Sequence, residues 1–324
     1  MYLKQCIKNP IITLLLISAA LLSSACGYRQ PSAEAMQQST VTESHPLNGK
    51  IIAVATGLPL SYTELLGQLK SHRFILLGEK HDNPEHHLRE LQLLKDLQNG
   101  SDTRVVLEML DDIQANNINQ LTENSSDEEI KTTLNWHDRS WPWQDYGPLI
   151  NAALKDHNQL KAGNVSQPMM LQIYQNKVPP QVRLSTVSAI PATIKATIQQ
   201  QVYDSHCQMI PLDQMGPMTQ IQLSRDASMA YALEHELGEN SQAILIAGAF
   251  HVRKDSGVPL HLQHRTAAAS LSILLAETDT DLITIEDAIA PYLEMADYIW
   301  FTSQVAEQDY CASLQQQSHQ QNDN

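Results

Sequence analysis

In RFILLGEKHDNPEHHLRELQLLKDLQ, residues 73–98, an apolar run stops abruptly at a cluster of carboxylate, imidazole and amide groups. Phe74, Ile75, Leu76 and Leu77 are unbroken and apolar, the pattern of a strand buried on both faces of a parallel sheet. Gly78 lets the backbone turn, and Glu79, His81 and Asp82 follow at the carboxyl end of that strand. Asn83-Pro84 has the form of a helix N-cap followed by proline in the first turn. Leu88, Leu91, Leu94 and Leu97 recur at three-residue spacing and predict one apolar side, with Glu85, Arg89, Gln92 and Asp96 turned to water. The unit is strand, loop and helix, with its chemistry in the loop. Ligands of open α/β sheets bind beyond the carboxyl ends of the strands, so a site is expected there.

Outward from this unit, further apolar runs also end in polar groups. Residues 104–107 predict a buried strand ending in Glu108, residues 159–164 one ending in Asn164, and residues 243–247 one that runs into Gly248-Ala249-Phe250-His251. Residues 50–55, 270–276 and 298–302 complete the expected strands, and Ser61 with Glu64 forms a capping-box pattern for a helix between the first two units. Residues 111–155 contain no β-type run. They hold Trp136, Trp141, Trp143 and Tyr146, either a small core under a loop or a flat apolar wall for a planar ligand, and Tyr146-Gly147-Pro148 leads into a helix. Residues 165–202 are helical and interrupted by prolines. The helix over 218–237 has an apolar side beside Arg225 and Asp226, which invite a buried ion pair or a ligand contact. No internal repeat is visible. The fold expected is α/β, a mainly parallel sheet flanked by helices with a helical subdomain inserted between strands.

The first 25 residues read as a secretory signal: Lys4 and Lys8, an apolar core over 11–22, then Ser23-Ser24-Ala25 before Cys26. That core is too short to span a bilayer. SSAC looks like a bacterial lipobox with Cys26 as the acylated residue, giving a lipid anchor, against plain cleavage and release; Gly27 after the cysteine, as in other lipoproteins, favours the outer membrane. Residues 26–49 read as a flexible tether, 50–312 as one domain and 313–324 as a polar tail. The net charge of −15 becomes −17 once Lys4 and Lys8 leave, which argues against nucleic acid as a partner. Cys6 leaves with the signal and Cys26 is the lipidation site, so Cys207 and Cys311 remain, either bridged in an oxidising compartment or free.

Four apolar runs thus end in ligand-capable groups: Glu79 with His81, then Glu108, Asn164 and His251. In chain order, LGEKHDNPEHH, VVLEML, WPWQDYGPL, AGN, DSHCQMIP, QLSRDASMA and AGAFHVRKDSGVP resemble the ChaN family of haem-binding, iron-regulated bacterial lipoproteins. That family belongs to a wider Tiki-like group with TraB and the erythromycin esterases. The resemblance spans residues 51–302. Two departures are Ala249-Phe250, where small or amide residues commonly precede the histidine, and Gly147, where arginine often follows the tyrosine.

The resemblance implies a haem-binding protein, in some cases a homodimer with two haems stacked at its interface, and an outer-membrane haem receptor as a further partner. Under it, Tyr146 is the first candidate for axial ligand to ferric iron, with His206 and His87 as alternatives. Trp141 and Trp143 would cover the porphyrin, and Arg225 or Arg253 would meet its propionates. The same group implies a competing reading, a metal-dependent hydrolase in which Glu79, His81, Glu108 and His251 hold a divalent metal. Asp82 and Asn164 would line either pocket. A third reading is a lipoprotein whose cleft is silent.

Overall fold

The computed structural model describes residues 45–98, 102–155, 159–306 and 311–312. The signal, Cys26, most of the tether and the polar tail read above lie outside these residues. In chain order the elements are β1 (Ile51–Ala53), β2 (Leu58–Leu60), α1 (Tyr62–Lys70), β3 (Phe74–Glu79), α2 (Pro84–Gln98) and β4 (Thr103–Asp111). Then come α3 (Ala115–Ile118), α4 (Asp127–Leu134), α5 (Trp143–Ala153), β5 (Gln159–Asn164), α6 (Gln167–Tyr174), a 3-10 segment Val182–Ala189, α7 (Ala192–Ser205) and α8 (Gly216–Glu234). The chain continues through β6 (Gln242–Gly248), α9 (Val258–Gln263), β7 (Ser270–Glu277), α10 (Ile285–Ile289) and β8 (Tyr298–Thr302).

The strands form one sheet in the order β2-β1-β8-β7-β3-β6-β4-β5, parallel from β8 to β5, with β1 and β2 as an antiparallel edge. From β3 the chain crosses over the place of β6 to reach β4 and β5, returns to β6, then crosses β3 to reach β7 and β8. The direction of winding therefore reverses around β3, β6 and β4, and the carboxyl ends of these strands flank the crevice where such folds bind ligands.

Phe74, Ile75, Leu76 and Leu77 are fully buried because both faces of the sheet are covered. Ile75 and Leu77 pack with Leu94 of α2 and Leu149 of α5, while Phe74 and Leu76 pack with Met229 of α8 and Leu262 of α9. Each such burial contributes about 1.5–3 kcal/mol relative to an exposed side chain. A third cluster, including Val165, Ile173, Leu184, Ile198 and Leu223, is the core of the helical insertion between β5 and β6. The expected fold class holds, with the insertion packing α8 on the sheet and α7 on α8.

Two local expectations are corrected. Leu88 is exposed, whereas α2 buries His86, His87 and Glu90 in its first turns before Leu93, Leu94 and Leu97. The half of this helix nearest the strand ends thus buries polar side chains. Second, α5 begins at Trp143 and contains Pro148, where the sequence suggests a helix only after the proline. Pro148 and Gln144 both lie at the surface, where water can take the carbonyl bond that the proline cannot make. Gly147 is required there: a Cβ would stand 2.5 Å from Trp143 Cε2.

Candidate functional site

Alternation along the strands decides where the strand-end carboxylates point. Leu77 and Glu79 share the face of β3 that α2 and α5 cover, whereas Val106 and Glu108 share the face of β4 that α8 covers. The expectation of one common cluster is corrected accordingly. Glu79 and Glu108 lie on opposite faces of the sheet, and His81 joins them over its rim, with Nδ1 2.7 Å from Glu79 Oε1 and Nε2 3.8 Å from Glu108 Oε2. A carboxylate oxygen only accepts, so the short contact places the proton on Nδ1. Gly248 makes the passage possible: a Cβ there would be 2.8 Å from His81 Nε2.

Around Glu79 the site is closed. Its Oε1 also accepts a 2.9 Å hydrogen bond from the Tyr146 hydroxyl, and its Oε2 stands 3.0 Å from His87 Nε2 without alignment for a hydrogen bond. Burial pushes Glu79 up, but the hydrogen bond of His81 and the close approach and charge of His81 and His87 outweigh it and bring the carboxyl to about 2. Glu90, fully buried beside it, is pushed well above the ordinary carboxylate range by burial and by the charge of Glu79.

Around Glu108 the site is cationic. Its Oε2 accepts a 2.7 Å bond from the Gly248 N–H, and its Oε1 pairs with the Arg225 guanidinium and lies 3.5 Å from His251 Nε2. Burial acts upward here too, yet the charges of His251 and Arg225 hold Glu108 well below the usual range. His251 Nδ1 is 2.5 Å from Asp226 Oδ1, and Gln222 Nε2 lies 3.0 Å from the same nitrogen. Burial lowers His251, but Glu108 and Asp226 together raise it to about 9. Arg225 and Asp226, adjacent on α8, thus take separate partners. Asn164 fixes this arrangement by donating to the Glu108 carbonyl and accepting from Arg225 Nε, both at 3.0 Å.

Above Glu108 a cleft of about 330 Å³ opens between the strand ends and the insertion. Val202, Met218, Ile221 and Phe250 give it apolar walls, His81, Gln222, Arg225 and His251 its polar base, and His206 lines it from the end of α7. Phe250 is half exposed. Cys207, next to His206, is disulfide-bonded to Cys311 across 104 residues, which settles the alternatives the sequence leaves open.

Comparison with known proteins places this geometry. Residues 65–262 match the family model described as haem-binding uptake, Tiki superfamily, ChaN. The chain belongs to the ChaN family. Among solved structures it is similar to that of cofacial haem binding to ChaN of Campylobacter jejuni, with a TM-score of 0.64, 24% identity, and coverage of 77% of this chain and 95% of that one. An erythromycin esterase, EreC, is a more distant neighbour at a TM-score of 0.45 and 12% identity, covering 81% of this chain and 98% of that one. No curated protein matches.

Several residues that the ChaN resemblance singles out stand elsewhere than expected. Tyr146 is fully buried, its hydroxyl is engaged by Glu79, and burial together with that carboxylate raises the phenol, so no phenolate faces the cleft. His87 is buried behind it, 4.9 Å from the Tyr146 ring. Trp141 meets the site edge-on, 5.0 Å from the His81 ring and 5.5 Å from that of Tyr146, while Trp143 packs on Trp136 and donates to Asp127. Arg225 is engaged by Glu108, and Arg253 is clasped by Asp255 away from the cleft lining. Asp82 stays in the turn before α2, 3.7 Å from Lys80. The four candidate metal ligands, Glu79, His81, Glu108 and His251, make a chain of contacts from one face to the other and enclose no common point. Glu90 is absent from the residues expected at the site, although its H-x-x-E spacing after His87 puts it on the same side of the helix.

Proposed function

We propose that this chain binds haem in the cleft between the strand ends and α7–α8, with His206 as the protein ligand to the iron. The carrying observation is the hydrogen bond that orients that imidazole. Its Nδ1 is 2.7 Å from the Val202 carbonyl oxygen, one of the last carbonyls of α7, which can only accept. In the neutral ring this contact selects the tautomer with the proton on Nδ1, which leaves Nε2 as the nitrogen available to iron. The apolar walls and the half-exposed Phe250 fit a planar macrocycle, and the cleft's volume, near the lower end of the range for ligand pockets, leaves part of such a ring outside. Haem bound there would supply ferric iron and its Soret absorption. The rim left uncovered supports a second copy closing over it, in keeping with the cofacial haem binding of Campylobacter ChaN. With both arginines engaged, the propionates would point to water or to that second copy.

Titration of the mature protein with hemin is expected to give a saturable Soret shift that His206→Ala abolishes and Tyr146→Phe leaves in place. The absence of a saturable shift would remove the haem reading, and loss of the shift in Tyr146→Phe alone would return the ligand to the tyrosine. The lipobox-like SSAC sequence supports an anchor at Cys26 and a place in the outer membrane, handling haem or iron beside a receptor. Cys26→Ser should then release the protein from the membrane fraction; retention there would refute the anchor.

A further inference from the structure

Beneath the cleft, on the α2 side of the sheet, Glu79, His87 and Glu90 bring one ligand atom each to within 4.8 Å of one another, all from buried side chains. Their relative exposures are 2%, 7% and 0%. Glu79 Oε2, both nitrogens of His87 and both oxygens of Glu90 have no hydrogen-bond partner. Buried polar groups are nearly always paired, because each one left without a partner costs free energy of desolvation. Glu79 Oε2, His87 Nε2 and the Glu90 carboxylate, brought together without partners of their own, therefore point to a missing partner.

We propose that these three side chains hold a structural zinc ion. His87 and Glu90 are three residues apart on α2 and share a side of the helix, while Glu79 arrives from the end of β3. The 3.0 Å between His87 Nε2 and Glu79 Oε2 is near the edge of a zinc tetrahedron, about 3.3 Å for bonds of roughly 2.0 Å. Two carboxylates and a neutral imidazole carry the charge that a divalent cation balances, and a water would complete four-coordination. One imidazole with two carboxylate oxygens suits zinc better than magnesium, which requires six oxygens.

The surroundings are those of a supported metal site. The second oxygen of Glu79 is held by Tyr146 and His81, which orients the carboxylate as an outer shell orients a metal ligand, and Asp145 Oδ1 stands 3.8 Å from His87 Nδ1, on the far side of the ring and beyond hydrogen-bond distance. Tyr146 and Asp145 come from α5, so the ion would clamp β3, α2 and α5 together and set the position of His81 from below. This site is distinct from the haem cleft and does not depend on it.

The test uses the mature protein stripped with chelator, reloaded with zinc chloride and dialysed. Wild type is expected to retain stoichiometric zinc with a higher melting midpoint, and Glu90→Gln and His87→Asn to lose it. His251→Asn and His206→Ala should keep it. Tyr146→Phe should bind zinc roughly tenfold more weakly, as loss of an outer-shell partner does. A wild type that keeps no zinc overturns the proposal and leaves a proton shared by Glu79 and Glu90 as the partner. Zinc lost in His251→Asn but kept in Glu90→Gln overturns it as well. Should the variants misfold, X-ray absorption on zinc-loaded wild type decides: a four-coordinate nitrogen and oxygen shell with one imidazole supports the site, and two imidazoles refute it. A failed hemin titration with zinc retained would leave this proposal standing.

Discussion

Two turns in this molecule share the spacing Gly-x-x-His: Gly78 to His81 after β3, and Gly248 to His251 after β6. Their strands are parallel neighbours, with Glu79 in register with Gly248. The histidines nevertheless end in different states. His81 is held at Nδ1 by a carboxylate from its own turn, and its side chain is 41% exposed at the rim. His251 is 5% exposed, wedged between Asp226 of α8 and Glu108 of β4. Both imidazoles have two carboxylates near them, but the one whose second carboxylate stands 3.8 Å off at the open rim keeps a face for a ligand, whereas the one enclosed between its two becomes a buried counter-ion. Spacing alone does not distinguish a presented group from a structural one; the origin of its partners does.

The largest expected effect tests the closed turn. Glu108→Leu leaves the partly buried Arg225 without its carboxylate and His251 with Asp226 alone, and a broken buried pair of this kind costs about 3–5 kcal/mol. Urea denaturation at neutral pH reads it directly, and a loss under about 1 kcal/mol would mean that the cationic side is not held by Glu108 at all.

Next in size is a pH dependence with a defined sign. His251 has its folded value raised to about 9 from 6.5. The stability it contributes is therefore fully present below about 6.5 and is lost as pH climbs through 9, on the order of 3 kcal/mol in total. The groups facing it are Glu108 of β4 with Arg225, Asp226 and Gln222 of α8 and His81 of the neighbouring turn. Asp226→Asn should move the decline to lower pH, and a stability curve flat from 6.5 to 9 would show His251 to be neutral in the folded protein.

How much of this was legible beforehand depended on whether the signal was local. Ser61 and Glu64 form the reciprocal box that their spacing predicts, at 3.2 and 2.8 Å, because both partners lie within one turn. The runs 74–77 and 243–247 became neighbouring central strands because an unbroken apolar stretch has few other places to go. That same continuity hid the site. A strand buried on both faces shows no polar alternation, so nothing marked Glu79 and Glu108 as facing opposite ways. Arg225 meets Glu108 across 117 residues and Cys207 meets Cys311 across 104, pairings that chemistry permits and only the fold selects. Glu90 is the instructive miss. His87, Glu90, Leu94 and Leu97 fall at three- and four-residue steps, so a stripe continuing from the leucines would have carried the glutamate into the core with them.

The smallest expected effect gives the sharpest separation of the two turns, because it exchanges what each is for. The residue before each histidine is Lys80 in one turn and Phe250 in the other. Lys80 Nζ donates to both oxygens of Glu277, at 3.0 and 3.1 Å, tying the β3 turn to the end of β7, and it does not line the cleft. Partly exposed ion pairs of this kind contribute about 0.5–1 kcal/mol, so Lys80→Ala should lower stability by that much and leave hemin binding unchanged. Phe250 is 52% exposed and forms a wall of the cleft. Phe250→Ala should shift stability by less than about 0.5 kcal/mol, since little of its ring is buried, yet weaken hemin binding by the loss of apolar contact. Urea melts and Soret titrations on both variants make a two-by-two comparison. If Phe250→Ala lost stability and kept its hemin affinity, the β6 turn would be as structural as the β3 turn, and haem would have to be sought at another surface.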